Sequence, residues 1–143
     1  MSDLIAREYK CFEDIKQTRA DGSEFWCARE LALVLDYNKW DNFHKVIKRA
    51  MIACENSGHS VLDHFPEVGK MIGLAKGAQR EIVDYELSRY ACYLIAQNGD
   101  PKKEEIAFAQ SYFAVQTRRQ ELIEEHISYV ERMEARERLK DSE

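Results

Sequence analysis

The sequence predicts an α+β domain: two small β-hairpins packed with four helices, the last helix long and extending toward the C-terminus. Two kinds of signal carry this. Turn residues, Ala20-Asp21-Gly22-Ser23 and Lys76-Gly77-Ala78-Gln79, separate runs of strand-forming side chains. Elsewhere, apolar residues recur at three- and four-residue spacing, the period of a helix with one buried face. Runs of strands and helices that do not alternate regularly point to an α+β arrangement.

The first hairpin spans Phe12 to Ala28, with Phe12, Ile15 and Gln17 leading into the Asp-Gly turn and Phe25, Trp26 and Cys27 returning. Ala28 to Leu35 reads as a short helix, broken at Tyr37-Asn38. A second helix starts at Lys39 or Trp40 and runs to Cys54, with Trp40, Phe43, Ile47, Ala50, Met51 and Cys54 as its apolar stripe. His59 to Pro66 reads as a loop packed by Val61, Leu62 and Phe65. The second hairpin comprises Val68 to Leu74 and Glu81 to Tyr85. Leu87, Tyr90, Ala91, Leu94 and Ile95 mark a third helix. Asn98-Gly99 offers it a left-handed stop, Asp100 a cap, and Pro101 the first position of the next helix.

That last helix reads as continuous from Pro101 to Leu139, or ~58 Å at ~1.5 Å per residue. A compact chain of this length is only ~37 Å across. The helix must therefore bend, protrude or pack on a partner, and a homodimer through it is one such arrangement. Its apolar content thins beyond Val130, so the domain reading is 1–121 for the globular part and 122–143 for a charged helical extension. That extension is expected to lead to a C-terminal region absent from this chain.

At 143 residues the chain suits one domain. It has no run of ~18 apolar residues, and Met1 to Lys10 has no signal-peptide core, so a cytoplasmic location and no membrane partner are expected. Cys11, Cys27, Cys54 and Cys92 are scattered without a Cys-x-x-Cys pair, which favours reduced, mostly buried thiols. The net charge of -5 argues against a general nucleic-acid-coating protein. The charge is uneven: Tyr37 to Asn56 carries four basic and two acidic residues.

No catalytic constellation is evident. There is neither a phosphate loop nor a G-x-G-x-x-G motif, and nothing calls for a cofactor. His59, Asp63 and His64, with Cys54, match no recurrent zinc spacing. A Cys-His nucleophile pair has no better support. The basic helix is more informative. Lys45, Lys48 and Arg49 share a face opposite the apolar stripe, with Lys39 one to two turns away, in an order resembling helix-turn-helix. Any surface helix carries lysines on its wet side, so a solvated face is the plain alternative. Four phosphate contacts would give log K against log salt a slope of about -3.6. Tyr112, Gln116, Arg119 and Gln120 form a second candidate surface, although Phe108, Tyr112 and Val115 at helical spacing also fit a core. Arg89 and Arg118 are expected to pair with Glu86 or Glu121.

Several stretches are more particular than their physics requires: Trp26-Cys27-Ala28-Arg29-Glu30-Leu31, Ala53 to His59, Asp63-His64-Phe65, Leu87 to Leu94 through Asn98-Gly99-Asp100-Pro101, and Gln116-Thr117-Arg118-Arg119-Gln120-Glu121. In this order they resemble the DNA-damage-inducible protein D family, whose N-terminal region is of the Bro-N, antirepressor-like class. One departure is Asp36-Tyr37, where that family often has Gly-Tyr. The resemblance implies a non-catalytic, nucleoid-associated SOS-response regulator that binds recombinase filaments on single-stranded DNA and restrains strand exchange. The alternative is an antirepressor-like or transcription-associated domain that binds DNA directly. Candidate contacts to nucleic acid or partner are Lys39, Lys45, Lys48, Arg49, Arg89, Arg118 and Arg119.

Overall fold

A computed structural model of the chain describes residues 11–141. The N-terminal segment read above for a signal peptide, and the last two residues, lie outside them. The order is a helical turn at residues 11–15 (α1), β1 (Gln17–Thr18), β2 (Glu24–Cys27), α2 (Ala28–Val34), α3 (Trp40–Asn56), α4 (Val61–His64), β3 (Glu67–Gly73), a 3-10 turn (Ala75–Gly77), β4 (Gln79–Leu87), α5 (Arg89–Asn98) and α6 (Glu104–Asp141). The two predicted hairpins are present and merge into one antiparallel sheet of order β1-β2-β4-β3, because Trp26 pairs with Leu87 and Cys27 with Glu86. The four predicted helices are α2, α3, α5 and α6; α4 is a further single turn, and residues 11–15 are helical (α1).

The core lies where α2, α3, α5 and the first part of α6 meet the sheet. Phe12, Trp26, Leu31, Phe43, Ile47, Leu87, Ile95, Ile106 and Phe113 are all fully buried. Each such side chain stabilises the fold by roughly 1.5–3 kcal/mol through the apolar area it removes from water. Phe113 meets Trp26 edge-on at 5.2 Å and Phe12 at 5.4 Å, so α1, β2 and α6 share one aromatic cluster.

Several local expectations are corrected. Phe12 and Ile15 lie on a helical turn, not in a strand, and β1 has only two residues. The turn lets Phe12 bury its ring against α6, while its carbonyl accepts the Trp26 indole N–H at 2.9 Å. The 59–66 stretch contains a helical turn, capped by Ser60 Oγ accepting from the Asp63 N–H. Phe65 is buried there, but Leu62 is 82% exposed. Leu87 ends β4 and is not part of α5, whose first turn is capped by Ser88 Oγ accepting from Ala91 N–H.

Gly99 is not left-handed either, since its φ is -80°. It is required for closeness, because a Cβ there would sit 2.6 Å from Cδ1 of the buried Ile106. Asp100 caps a turn through Lys102 N–H, and α6 starts at Glu104, three residues after Pro101. The carbonyls at the end of α5 are still satisfied, by Gln110 on Ala96, Asn98 on Leu94 and Arg49 on Asn98.

The N-terminus of α2 has no cap of its own. Asp84, buried on β4, supplies one by accepting from the backbone N–H groups of Arg29 and Tyr85 at 3.0 and 2.8 Å. Among the described residues, no helix is long and apolar enough to cross a membrane. From Glu121 to Arg132 every residue of α6 is exposed.

Candidate functional site: a cleft between the α5 N-terminus and α6

A groove of about 500 Å³ opens between the β1–β2 turn, the start of α5 and the middle of α6. Its floor follows from two helix ends. α3 terminates with Gly58 at φ +86°, with Gly58 N–H donating to Glu55 O and His59 N–H to Cys54 O. This left-handed closure turns the chain back and carries His59 into the groove. His64 and Ser88 meet at 2.7 Å, Nδ1 to Oγ. With the Ser88 hydroxyl assigned as donor to Nδ1, the proton of a neutral His64 ring is on Nε2. Burial, then the neighbouring His59, pushes the His64 pKa down, in keeping with a neutral ring. Tyr90 packs against both imidazoles, at 4.6 Å from His59 and 5.0 Å from His64.

On the α6 side stand Thr117 and Gln120, and Arg89 donates to Glu24 at 2.6 Å across the groove. Two polar atoms, Arg89 Nε and Thr117 Oγ1, are buried without a hydrogen-bond partner among the described residues. An unpaired buried donor costs about 1–3 kcal/mol, more when charged. Neither atom is open to solvent, so an acceptor reaches them only when side chains of the cleft move. The rim carries Glu24, Glu121 and Glu124, which disfavours phosphate and favours a neutral or weakly charged acceptor such as a peptide carbonyl.

The sequence candidates fall into two groups. Lys39, at the N-cap of α3, is exposed, as are Lys45, Lys48 and Arg49 on the helix, opposite the buried Phe43, Val46, Ile47, Ala50 and Cys54. Lys39, Lys45 and Lys48 form no ion pair among the described residues, whereas Arg49 donates to Asn98 O at the end of α5. Lys48 and His59 line one shallow groove with the exposed Ile52 and Leu62, so the basic face adjoins the cleft.

Of the second group, only Arg89 lines the cleft, and Arg118 and Arg119 stand next to its Thr117 and Gln120 along α6 without lining it. Arg89 pairs with Glu24, not with Glu86, which holds Arg19 instead. Arg118 pairs with Glu121 as expected, and Arg119 is exposed. Tyr112 belongs to the core, its hydroxyl donating to Glu13 at 2.5 Å, while Val115 is 50% exposed.

Sequence reasoning missed Ser88, Tyr90 and Thr117 as neighbours, and the signal lay in the family-like stretches themselves. Those ending at His59, centred on His64, spanning Ser88 to Tyr90 and covering Thr117 to Glu121 all line this one cleft. Also missed was a stack on the outer side of α3, where the Arg29 guanidinium lies 4.0 Å over the Trp40 ring and Trp40 stacks on His44 at 5.2 Å. Trp40 and His44, four residues apart, could have marked it.

The metal reading gains nothing from the fold. Cys54 is buried in the core, and among the described residues no three of His, Cys, Asp and Glu are placed to share an ion. All four thiols are free, and burial pushes those of Cys27, Cys54 and Cys92 up, away from the reactive thiolate.

Comparison with known proteins agrees with the resemblance drawn from these stretches. The chain is similar to DNA damage-inducible protein D of Escherichia coli (strain K12), 52% identical over 114 residues. The matched part is 80% of this chain but 42% of that protein, so the chain spans about two fifths of the relative's length. No solved structure matches. The model of the BRO family, N-terminal domain, matches residues 14–114, well over half of the sequence. On that match the chain belongs to the BRO family N-terminal domains, Bro-N.

Proposed function

We propose that this chain is the partner-binding part of a non-catalytic, cytoplasmic regulator of the DNA-damage response, which engages recombinase filaments on single-stranded DNA and restrains strand exchange. The observation that carries the reading is the cleft. It gathers the stretches shared with the protein D family and holds two buried donors that want an acceptor. Its acidic rim supports a protein segment as the occupant. A partner segment in the cleft would lie against the Tyr90 and His59 rings, and a shift of the cleft side chains would open Arg89 Nε and Thr117 Oγ1 to one of its carbonyls.

The test is fluorescence anisotropy and strand exchange with preassembled recombinase filaments, comparing the native chain with Thr117→Val. A lost hydrogen bond of about 1 kcal/mol weakens binding roughly five-fold. Binding to naked single strands equal to that on filaments, or no effect of the substitution, would sink the reading.

The unpaired lysines of α3 favour a second reading, an antirepressor-like domain that binds duplex DNA directly. It predicts that changing Lys45, Lys48 and Arg49 together to Glu abolishes sequence-dependent duplex binding.

A further inference from the structure

The β3–β4 hairpin outgrows the sheet that holds it. Only Glu86 and Leu87 of β4 pair with β2, so from Gly69 to Val83 the two strands have no other strand beside them, and α2 meets the ribbon at its root, where Arg29 Nε donates to Val83 O at 2.8 Å. Nearly every residue in that stretch is exposed, and Ile72 and Ile82 are half-buried. From the Gly69–Val83 pair to Leu74 the ribbon reaches ~17 Å at ~3.3 Å per residue.

Its charge differs in sign from the rest of the molecule. Residues 69–80 contain Lys70, Lys76 and Arg80 and no acidic residue, in a chain of net charge -5. None of the three forms an ion pair among the described residues. The register places the cations together: Lys70 pairs with Ile82 and Ile72 with Arg80, so all four side chains share one face. Met71 and Glu81 occupy the other face, and Glu81 folds back over Gly69, whose missing Cβ leaves room for the carboxylate. Lys76 stands at the turn with φ +64°.

We propose that this ribbon is a nucleic-acid arm whose Lys70–Arg80 face enters the major groove of duplex DNA. A two-stranded ribbon fits a groove ~12 Å wide and ~8.5 Å deep, and ~17 Å of reach exceeds that depth. Lys70, Lys76 and Arg80 meet the phosphates, and Ile72 and Ile82 face the base edges. A lysine on an edge strand commonly guards against strand pairing. That role covers Lys70 on β3 and Arg80 on the equally unpaired part of β4, but it does not account for Lys76 at the turn. A second copy of the chain would bring the same cations and is repelled. The arm goes beyond the filament reading, which rests on the cleft.

The experiment is anisotropy of a labelled 20-base-pair duplex and a 20-nucleotide single strand, titrated with the full chain at several salt concentrations. The native chain is compared with Lys70→Glu/Lys76→Glu/Arg80→Glu, and with Lys45→Glu/Lys48→Glu on α3. We expect duplex binding tighter than single-strand binding. The ribbon variant should lose ten-fold or more, with the salt slope shallower by about 2.7. Circular dichroism confirms folding, and a Lys70→Ala/Arg80→Ala double substitution repeats the test if charge reversal unfolds the hairpin. The proposal is overturned if the native chain does not bind duplex, if it binds single strand equally well, or if only the α3 variant weakens binding. Filament binding by the same ribbon variant is read separately, and its retention leaves the cleft reading intact.

Discussion

Asp36 and Gly58 hold the same position in the same motif. Each is the left-handed residue just past a helix, with φ of +61° and +86°, and each closes the helix with two backbone hydrogen bonds. For Asp36 these are its own N–H to Leu33 O and Tyr37 N–H to Ala32 O. The departure from Gly-Tyr at this turn thus leaves the geometry intact, because aspartate tolerates the left-handed region better than most residues. Asp36→Gly should relieve the residual strain and raise stability by about 0.5 kcal/mol, net of the entropy glycine adds to the unfolded chain. Gly58→Ala should lower it by about 1 kcal/mol. Urea midpoints of the two variants, shifting in opposite directions, check the pair.

Gly99 makes a different demand. Its backbone is ordinary, and only the approach of Ile106 forbids a side chain. Gly99→Ala should therefore cost about 1–3 kcal/mol by overpacking. Combining it with Ile106→Val should cost less than the two changes summed, because the valine lacks the Cδ1 that clashes. Strict additivity in a double-mutant cycle would contradict the contact.

Stability should depend on pH through His64 and His44, whose pKa values burial holds below the ordinary 6.5. The unfolded chain then binds protons more readily than the folded one, so stability rises with pH in this window. It should be complete above about 6.5 and decline as pH falls from there toward 5.5. Denaturation midpoints between pH 7.5 and 5.5 test this, and His64→Gln should flatten the curve.

Along α6 the effect of truncation should change abruptly. Phe113 is buried among Trp26, Phe12 and Tyr112, and Phe113→Ala should cost about 3–5 kcal/mol. Ile127, 50% exposed on the same helix, should cost within about 0.5 kcal/mol as alanine in a dilute monomer. A larger loss for Ile127→Ala that grows with protein concentration would reveal pairing of two chains through this helix.

Much of this fold was legible because local chemistry decided it. The Asp21-Gly22 turn, the apolar stripe of α3 and the period of α6 each need only neighbouring residues. The failures occurred where distant groups decide. Phe12 forms helix because the α6 aromatics and the Trp26 indole receive it, and Gly99 is glycine because of Ile106. The cap of α2 comes from Asp84, 55 residues away. The cleft was illegible for the same reason: His59, His64, Tyr90 and Thr117 come from four elements, and no spacing rule relates them. The cations of the ribbon were in plain view but lacked meaning until the register put Lys70 and Arg80 on one face.

The length of α6 also sets a metric. Thirty-eight helical residues at ~1.5 Å each make a shaft of ~57 Å, anchored in the globule at one end only. A flexible tether of equal length would let a bound molecule wander, whereas a shaft fixes both its separation and its bearing. Because each residue adds about 100° of rotation, inserting one residue after Ile123 would swing anything held near Arg132 through more than a right angle while moving it only ~1.5 Å outward. Inserting seven would restore its bearing to within ~20° and displace it by ~10 Å. A partner gripped at both ends of this helix would thus be sensitive to angle first and distance second, as a key is in its lock.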